Sequence, residues 1–81
     1  MKKQNVTSRE KFLKEIGSKI ASRRNLLGIS QEDLADKADL DRTYISGIER
    51  GKRNISVFTL KKIVESLDLK MKDFFNGQIN H

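Results

Sequence analysis

Several residue types that build stabilising or catalytic sites are missing from this chain. It contains no cysteine, proline or tryptophan, and its only histidine, His81, is the last residue. The absence of cysteine excludes disulfides and cysteine-ligated zinc, and it is typical of an intracellular protein. No apolar run approaches the length of a membrane span or of a signal-peptide core. The sequence therefore predicts a cytoplasmic protein with no metal, no cofactor and no membrane contact.

The size and charge of the chain narrow the range of partners. Its 81 residues suffice for one domain. A domain this small buries only about 60% of its unfolded surface, so a dimer partner often adds stability. The formal net charge of +6 favours an acidic partner, of which nucleic acid is the commonest. Because net charge also keeps small proteins soluble, the charge alone does not decide between a nucleic-acid partner and a solvated surface.

Capping residues and apolar periodicity predict an all-α chain of five helices. The first four helices each follow a good N-cap residue: Thr7, Ser30, Asp41 and Ser56. We expect the first two helices at about residues 8–27 and 31–38, and Gly51 closes the third. We further expect a flexible tail at residues 1–7, the domain at residues 8–76 and a frayed end at residues 77–81.

The fourth and fifth helices contain candidate contacts between subunits. The apolar stripe of the fourth helix consists of Val57, Leu60, Ile63, Val64 and Leu67. The fifth helix is short and lacks a good N-cap, because Lys70 precedes it. Phe58 has charged helical neighbours and lies off the stripe, so we expect it to be exposed. An exposed phenylalanine can be harmless, but with Met71 and Phe75 it could form a dimer interface.

The second and third predicted helices are joined by only three residues, Asp39-Leu40-Asp41. Such a short connection makes the helices cross steeply, as in a helix-turn-helix. Asp39 stands where the chain usually turns through a left-handed backbone, which aspartate adopts at modest cost. The prediction is a compact five-helix bundle with a helix-turn-helix at about residues 31–50. Its wedge is sealed by the apolar residues Leu34, Ala35, Ala38, Leu40, Ile45 and Ile48.

The first turn of the third helix has side chains suited to reading DNA. In a helix-turn-helix this end enters the major groove. Arg42 can bind guanine O6 and N7, Thr43 offers a hydroxyl and a methyl group, and Tyr44 can reach a base edge or a phosphate. Ser46 lies one turn further, and Gly47 leaves room for close approach. Alternatively, Arg42 is a solvated residue, Thr43 supports the helix start, and Tyr44 packs on the domain surface.

The segments SQEDLA and DLDRTYISGIERGKRN, residues 30–35 and 39–54, resemble the Cro/lambda-repressor-like helix-turn-helix family. The resemblance extends from Ile16 to Phe75, which is most of the chain. The second segment is similar to the controller proteins of bacterial restriction–modification systems. Those are small dimeric regulators that switch transcription of their own gene and of the endonuclease gene.

The resemblance implies roles for residues around the third helix. Gln31 would hydrogen-bond a phosphate at the N-terminus of the second helix, and it could also brace Arg42. The residues implied to contact DNA after the third helix are Arg53 and Asn54, next to the basic residues Arg50 and Lys52.

An ion pair between Arg24 and Glu49 is also implied, tying the first helix to the third. If exposed, such a pair would contribute almost nothing to stability. Lys19 and Arg23 are candidates for weaker phosphate contacts.

The sequence thus predicts a sequence-specific regulator that binds double-stranded DNA in the nucleoid. A homodimer would bind a roughly palindromic operator, with RNA polymerase as a further partner and no small-molecule ligand. An enzyme is disfavoured, because the chain offers no nucleophile beside a base and no glycine-rich phosphate loop. An antitoxin or a phage-repressor-like regulator with a protein-binding role is the alternative.

Overall fold

The computed structural model describes residues 7–77, which form five α-helices. They are α1 Ser8–Leu26, α2 Gln31–Ala38, α3 Arg42–Glu49, α4 Val57–Ser66 and α5 Met71–Phe75. No strand occurs between residues 7 and 77. The predicted all-α bundle with its helix-turn-helix is confirmed. Residues 1–6 and 78–81, which include most of the predicted tail and frayed end, lie outside the described part of the chain.

A capping side chain marks the start of each of the first four helices. The side chain of every predicted N-cap residue accepts a backbone hydrogen bond from the first turn: Thr7, Ser30, Asp41 and Ser56. Lys70 precedes α5 without a side-chain cap, as predicted. Hydrogen bonds from the backbone and side chain of Ser30 lower the pKa of Asp33. The hydroxyl and then the backbone N–H of Thr43 lower the pKa of Asp41.

The first four helices end in the same kind of turn. One residue adopts a left-handed backbone, and the next N–H returns to a carbonyl of the last helical turn. The left-handed residues are Gly28, Asp39, Gly51 and Asp68. Asp39 has φ 58° and ψ 50°, as the sequence predicts, and Leu40 then donates to the carbonyl of Ala35 at 2.8 Å. The left-handed turn at Asp68, with φ 60°, was not predicted.

The core is built from all five helices. Its buried apolar residues are Ile16, Ile20, Leu34, Ala35, Ala38, Ile45, Ile48, Leu60, Ile63, Val64, Leu67, Leu69 and Phe74. Leu40 is half-buried against them, so the predicted wedge residues of the helix-turn-helix all pack as expected. The prediction was wrong for Val57, which is 76% exposed. Val57 is the first residue of α4, and the buried stripe begins one turn later at Leu60.

Helix α1 lies directly against the C-terminal end of α3. A Cβ atom at Gly17 would overlap the backbone oxygen of Ile48 and would lie 2.6 Å from that of Glu49. Only glycine permits this approach of two backbones. The contact fixes the position of α3 relative to the rest of the bundle.

Two basic residues of α1 tie that helix to α4 and α5. Arg23 is 4% exposed, and its Nε donates to the backbone oxygen of Leu67 at 2.9 Å. Lys19 Nζ donates to the backbone oxygen of Phe74 at 3.4 Å. The expected phosphate contact is therefore wrong for Arg23, whose guanidinium is buried in the fold, and Lys19 is engaged at α5.

Candidate nucleic-acid interface

Helix α3 has one face packed into the core and an exposed N-terminal turn. Ile45 and Ile48 are buried in the core, whereas Arg42 and Thr43 in the first turn are exposed. Tyr44 is half-buried and packs against the core. The helix is therefore held along one side and presents its N-terminal turn to solvent, as entry into a DNA groove requires.

The hydroxyl of Thr43 supports the start of this helix. It donates to Asp41 Oδ1 at 2.6 Å, and the backbone N–H of Thr43 donates to the same oxygen at 2.8 Å. The helix-start alternative for Thr43 thus has a direct structural basis. Thr43 as a whole remains exposed.

Gln31 connects the tip of α3 to its buried end. Its side-chain oxygen accepts a hydrogen bond from Arg42 Nη1 at 3.4 Å. Its Nε2 donates to Glu49 Oε1 at 2.9 Å, a contact that was not predicted. Because the carboxylate can only accept, it holds the amide with its oxygen toward Arg42. Gln31 is therefore oriented before any ligand binds.

Arg24 and Glu49 form a two-point ion pair between α1 and α3. Arg24 Nε lies 2.7 Å from Glu49 Oε2, and Nη2 donates to Oε1 at 3.0 Å. A third bond runs from Nη1 to the backbone oxygen of Ile29 at 2.9 Å. The side chains are only 13% and 5% exposed, so this is not the exposed pair of the alternative interpretation. The hydrogen bonds to Glu49 raise the pKa of Arg24.

The basic surface after α3 consists of three exposed basic residues and the exposed Asn54: Arg50, Lys52, Arg53 and Asn54. Arg50 Nε donates to the backbone oxygen of Ser46 at 3.3 Å. The guanidinium carbon of Arg53 lies 5.1 Å from the centroid of the Tyr44 ring, which is a cation–π contact. This contact was not predicted, because Tyr44 and Arg53 are not helical neighbours.

The sequence suggested that Gly47 leaves room for the close approach of a ligand, but the structure fills that space. Gly47 is buried, and the side chain of Arg53 covers it. The space that glycine leaves on α3 is thus filled by the protein itself.

The candidate dimer residues lie at the start of α4 and in α5. Phe58 is 69% and Phe75 46% exposed, whereas Met71 is half-buried against the core. The exposed Val57 extends the apolar surface beside Phe58. Phe75 packs edge-to-face on the buried Phe74 at 5.2 Å, so its ring is held in place.

Residues 7–77 contain no group of three or more acidic, cysteine or histidine side chains able to hold a metal ion. None of the helices in this part of the chain has the length and apolar character needed to cross a membrane.

Comparison with known proteins identifies the family. Residues 20–74 match the family model described as Helix-turn-helix. Control protein C.MunI from Mycoplasma sp is 44% identical over 54 residues, which are 67% of this chain and 73% of that protein. The chain belongs to the helix-turn-helix controller proteins of restriction–modification systems. The predicted resemblance is thereby confirmed, and this family consists of DNA-binding transcription regulators rather than enzymes.

Solved structures of controller proteins have the same fold. The controller protein C.AhdI from Aeromonas hydrophila matches with a TM-score of 0.77 at 37% identity, covering 80% of this chain and 98% of that one. C.Esp1396I, solved as a tetramer with its natural 35 base-pair operator, matches with a TM-score of 0.77 at 43% identity. That match covers 83% of this chain and 88% of the neighbour.

Proposed function

We propose that this controller protein regulates transcription as a homodimer that binds a roughly palindromic operator through α3. The observation that carries the proposal is the exposed Arg42 at the tip of a helix whose opposite face is locked into the core. Each α3 would read a few base pairs in the major groove. Dimer symmetry would place two such helices about 34 Å apart along one face of the duplex.

Arg42 is the proposed base reader. Its bond to Gln31 is long, at 3.4 Å, and exposed, so a guanine edge can replace it at little cost. Gln31 keeps its bond to Glu49 when Arg42 leaves, and its second amide hydrogen can donate to a phosphate. The N-terminus of α2, where Gln31 is the first helical residue, also favours an anion. A single arrangement therefore serves base reading and backbone positioning.

The basic surface after α3 would supply phosphate contacts, which make affinity depend on salt. Lys52→Ala should weaken binding to all duplexes and lower the salt slope by about 1 per subunit. Lys37→Ala is the matched control, because Lys37 is an exposed lysine at the opposite end of α2 from Gln31. Equal slopes for the two variants, measured by fluorescence anisotropy, would remove Lys52 from the interface.

The proposed dimer contact joins Val57, Phe58, Met71 and Phe75 across the two subunits. Phe58→Ser should shift the sedimentation coefficient toward the monomer and weaken operator binding. Phe12→Ser is a matched control, because Phe12 is 52% exposed on α1, a helix that contributes no residue to the proposed contact. A wild-type protein that sediments as a monomer at high micromolar concentration would contradict the dimer.

Selection of bound duplexes from a random pool at fixed salt tests the function itself. The expected result is an enriched pair of inverted half-sites separated by about one helical turn. An unenriched pool would reject sequence-specific binding. In the cell we propose a cytoplasmic regulator in the nucleoid whose operator occupancy recruits or blocks RNA polymerase.

A further inference from the structure

We propose that Gly47 is a positioning residue for Arg53. The missing side chain at position 47 lets Arg53 lie across α3 on the Tyr44 ring, so these two DNA-facing side chains act as one unit. The inference rests on the proposed DNA-binding function and deepens it. It gives a role in DNA binding to a residue that is itself buried.

The chain path after α3 brings Arg53 back to this helix. Gly51 has a left-handed backbone with φ 72°, and its N–H donates to the carbonyl of Ile48 at 3.0 Å. The N–H of Lys52 then donates to the carbonyl of Gly47 at 2.9 Å. These two bonds turn the chain sharply and return Arg53 to the side of α3 on which Gly47 lies.

The absence of a side chain at Gly47 leaves the space that Arg53 occupies. A Cβ atom built there would lie 2.8 Å from Arg53 Cγ, 3.5 Å from Nε and 3.7 Å from Cδ. The first distance is shorter than Cβ atoms tolerate, so even alanine would displace the arginine. Cγ lies near the base of the side chain, so the whole guanidinium arm would have to move with it. Gly47 is buried, and this arm lies over it.

The Tyr44 ring is the surface on which the guanidinium group of Arg53 lies. Tyr44 precedes Gly47 by three positions on α3, so the two residues share a face of the helix. With the guanidinium carbon 5.1 Å from the ring centroid, Arg53 rests on the ring while the residue as a whole stays exposed. An arginine that is already extended over a ring loses less side-chain freedom when it binds a phosphate or a base. Displacing Arg53 would therefore weaken DNA binding without removing any charge.

Helix propensity alone predicts no harm from the substitution Gly47→Ala. Alanine favours a helix interior over glycine, so Gly47→Ala should leave α3 equally or more stable if position 47 has no other role. A loss of operator affinity in a protein that is no less stable would thus point to Arg53.

The test is a double-mutant cycle on the selected operator at fixed salt. Gly47→Ala should weaken binding about two- to fivefold in the wild-type background, which matches the strength of an exposed cation–π contact. In the Arg53→Ala background the same substitution should leave affinity unchanged. Equal losses in both backgrounds would mean that the methyl group meets DNA or distorts α3, and would overturn the proposal. No loss in either background would overturn it as well.

A second measurement needs no DNA and separates this proposal from the proposed function. In the NMR spectrum of the free protein, the Tyr44 ring should shift the Arg53 side-chain protons upfield. Gly47→Ala and Tyr44→Leu should each abolish that shift. If the shift is absent from the wild-type spectrum, Arg53 is not held on the ring and the proposal fails. If wild-type protein shows the shift but selects no duplex, it is the proposed function that fails.

Discussion

Replacing Arg24 with methionine should destabilise the fold far more than breaking a surface ion pair does. The substitution keeps an unbranched chain of similar length and removes the guanidinium. It thereby removes two bonds to Glu49, at 2.7 and 3.0 Å, and one to the carbonyl of Ile29, at 2.9 Å. The side chain of Glu49, which is 5% exposed in the wild type, then loses its charged partner and keeps the hydrogen bond from Gln31.

The magnitude follows from burial. Breaking a fully buried pair from one side costs about 3–5 kcal/mol, because an uncompensated charge stays inside the protein. Arg24 is 13% exposed, and Gln31 still donates to the acid, so water and one amide compensate in part. We expect a loss of about 2–4 kcal/mol, against a total stability of about 5–15 kcal/mol for a small domain.

Adding Glu49→Met should restore most of the loss. Two apolar side chains then replace the pair, and such replacements are often neutral. The double variant should lie within about 1–2 kcal/mol of the wild type, which requires a strong coupling between the two positions.

Urea denaturation followed by circular dichroism measures the free energy of unfolding for each variant. Protein concentration must be the same throughout, because the stability of a dimer depends on it. Arg9→Met is the control on the exposed side of α1, and it should change stability by less than about 0.5 kcal/mol. A loss below about 1 kcal/mol for Arg24→Met, or a loss in the double variant equal to the sum of the two single losses, would contradict this stabilising role of the buried ion pair.

Three further predictions concern the helix ends. Arg23→Met should lower stability by about 1–3 kcal/mol, because it strips the donor from the Leu67 carbonyl; an unchanged melting temperature would show that water replaces that bond. Asp39→Gly should raise stability by up to about 1 kcal/mol by relieving the left-handed aspartate, and a lower melting temperature would contradict this. Because the fold lowers the pKa values of Asp33 and Asp41, their stabilising effect is complete above the ordinary aspartate pKa. It is lost as the pH falls through the lowered values. Asn substitutions at both sites should flatten the acid side of the stability profile, and an unaltered profile would exclude these two residues as its cause.

The helix starts and the turn of the helix-turn-helix were predictable because their causes are local in sequence. Ser30 and Asp41 cap the first turns that follow them, within three residues. Asp39 occupies the one position of a short connection that needs a left-handed backbone. In each case the residues that interact are close together in the chain, so their spacing reveals the contact.

The features that were missed depend on partners brought close only by the fold. By spacing alone, Gly17 is only a residue that lowers helix stability in the middle of α1. In the fold, the carbonyl of Ile48 packs against it and leaves no space for a side chain. Arg23 looks like one more basic residue, yet it is bonded to the end of α4, 44 positions later. Val57 fits the apolar stripe by spacing alone, but the stripe does not reach the first turn of the helix.

The candidate interface divides in the same way. The resemblance implied that Gln31 could brace Arg42, and the hydrogen bond is present in the structure. The stacking of Arg53 on Tyr44 was not predictable, because it depends on a turn of the chain after α3 and on the absence of a side chain at Gly47. Local residue types thus predicted which side chains are available, and tertiary structure determined how they are oriented.

A paired selection shows whether the Arg42 tip of α3 reads bases. Wild-type protein and Arg42→Ala would each be given the same random duplex pool at the same salt concentration. Base reading by Arg42 predicts that the variant retains the half-site spacing but loses its preference at one base pair in each half-site. Its affinity for the wild-type operator should fall by about 1–3 kcal/mol for each lost bidentate contact. Identical base preferences and identical affinities for the two proteins would contradict it.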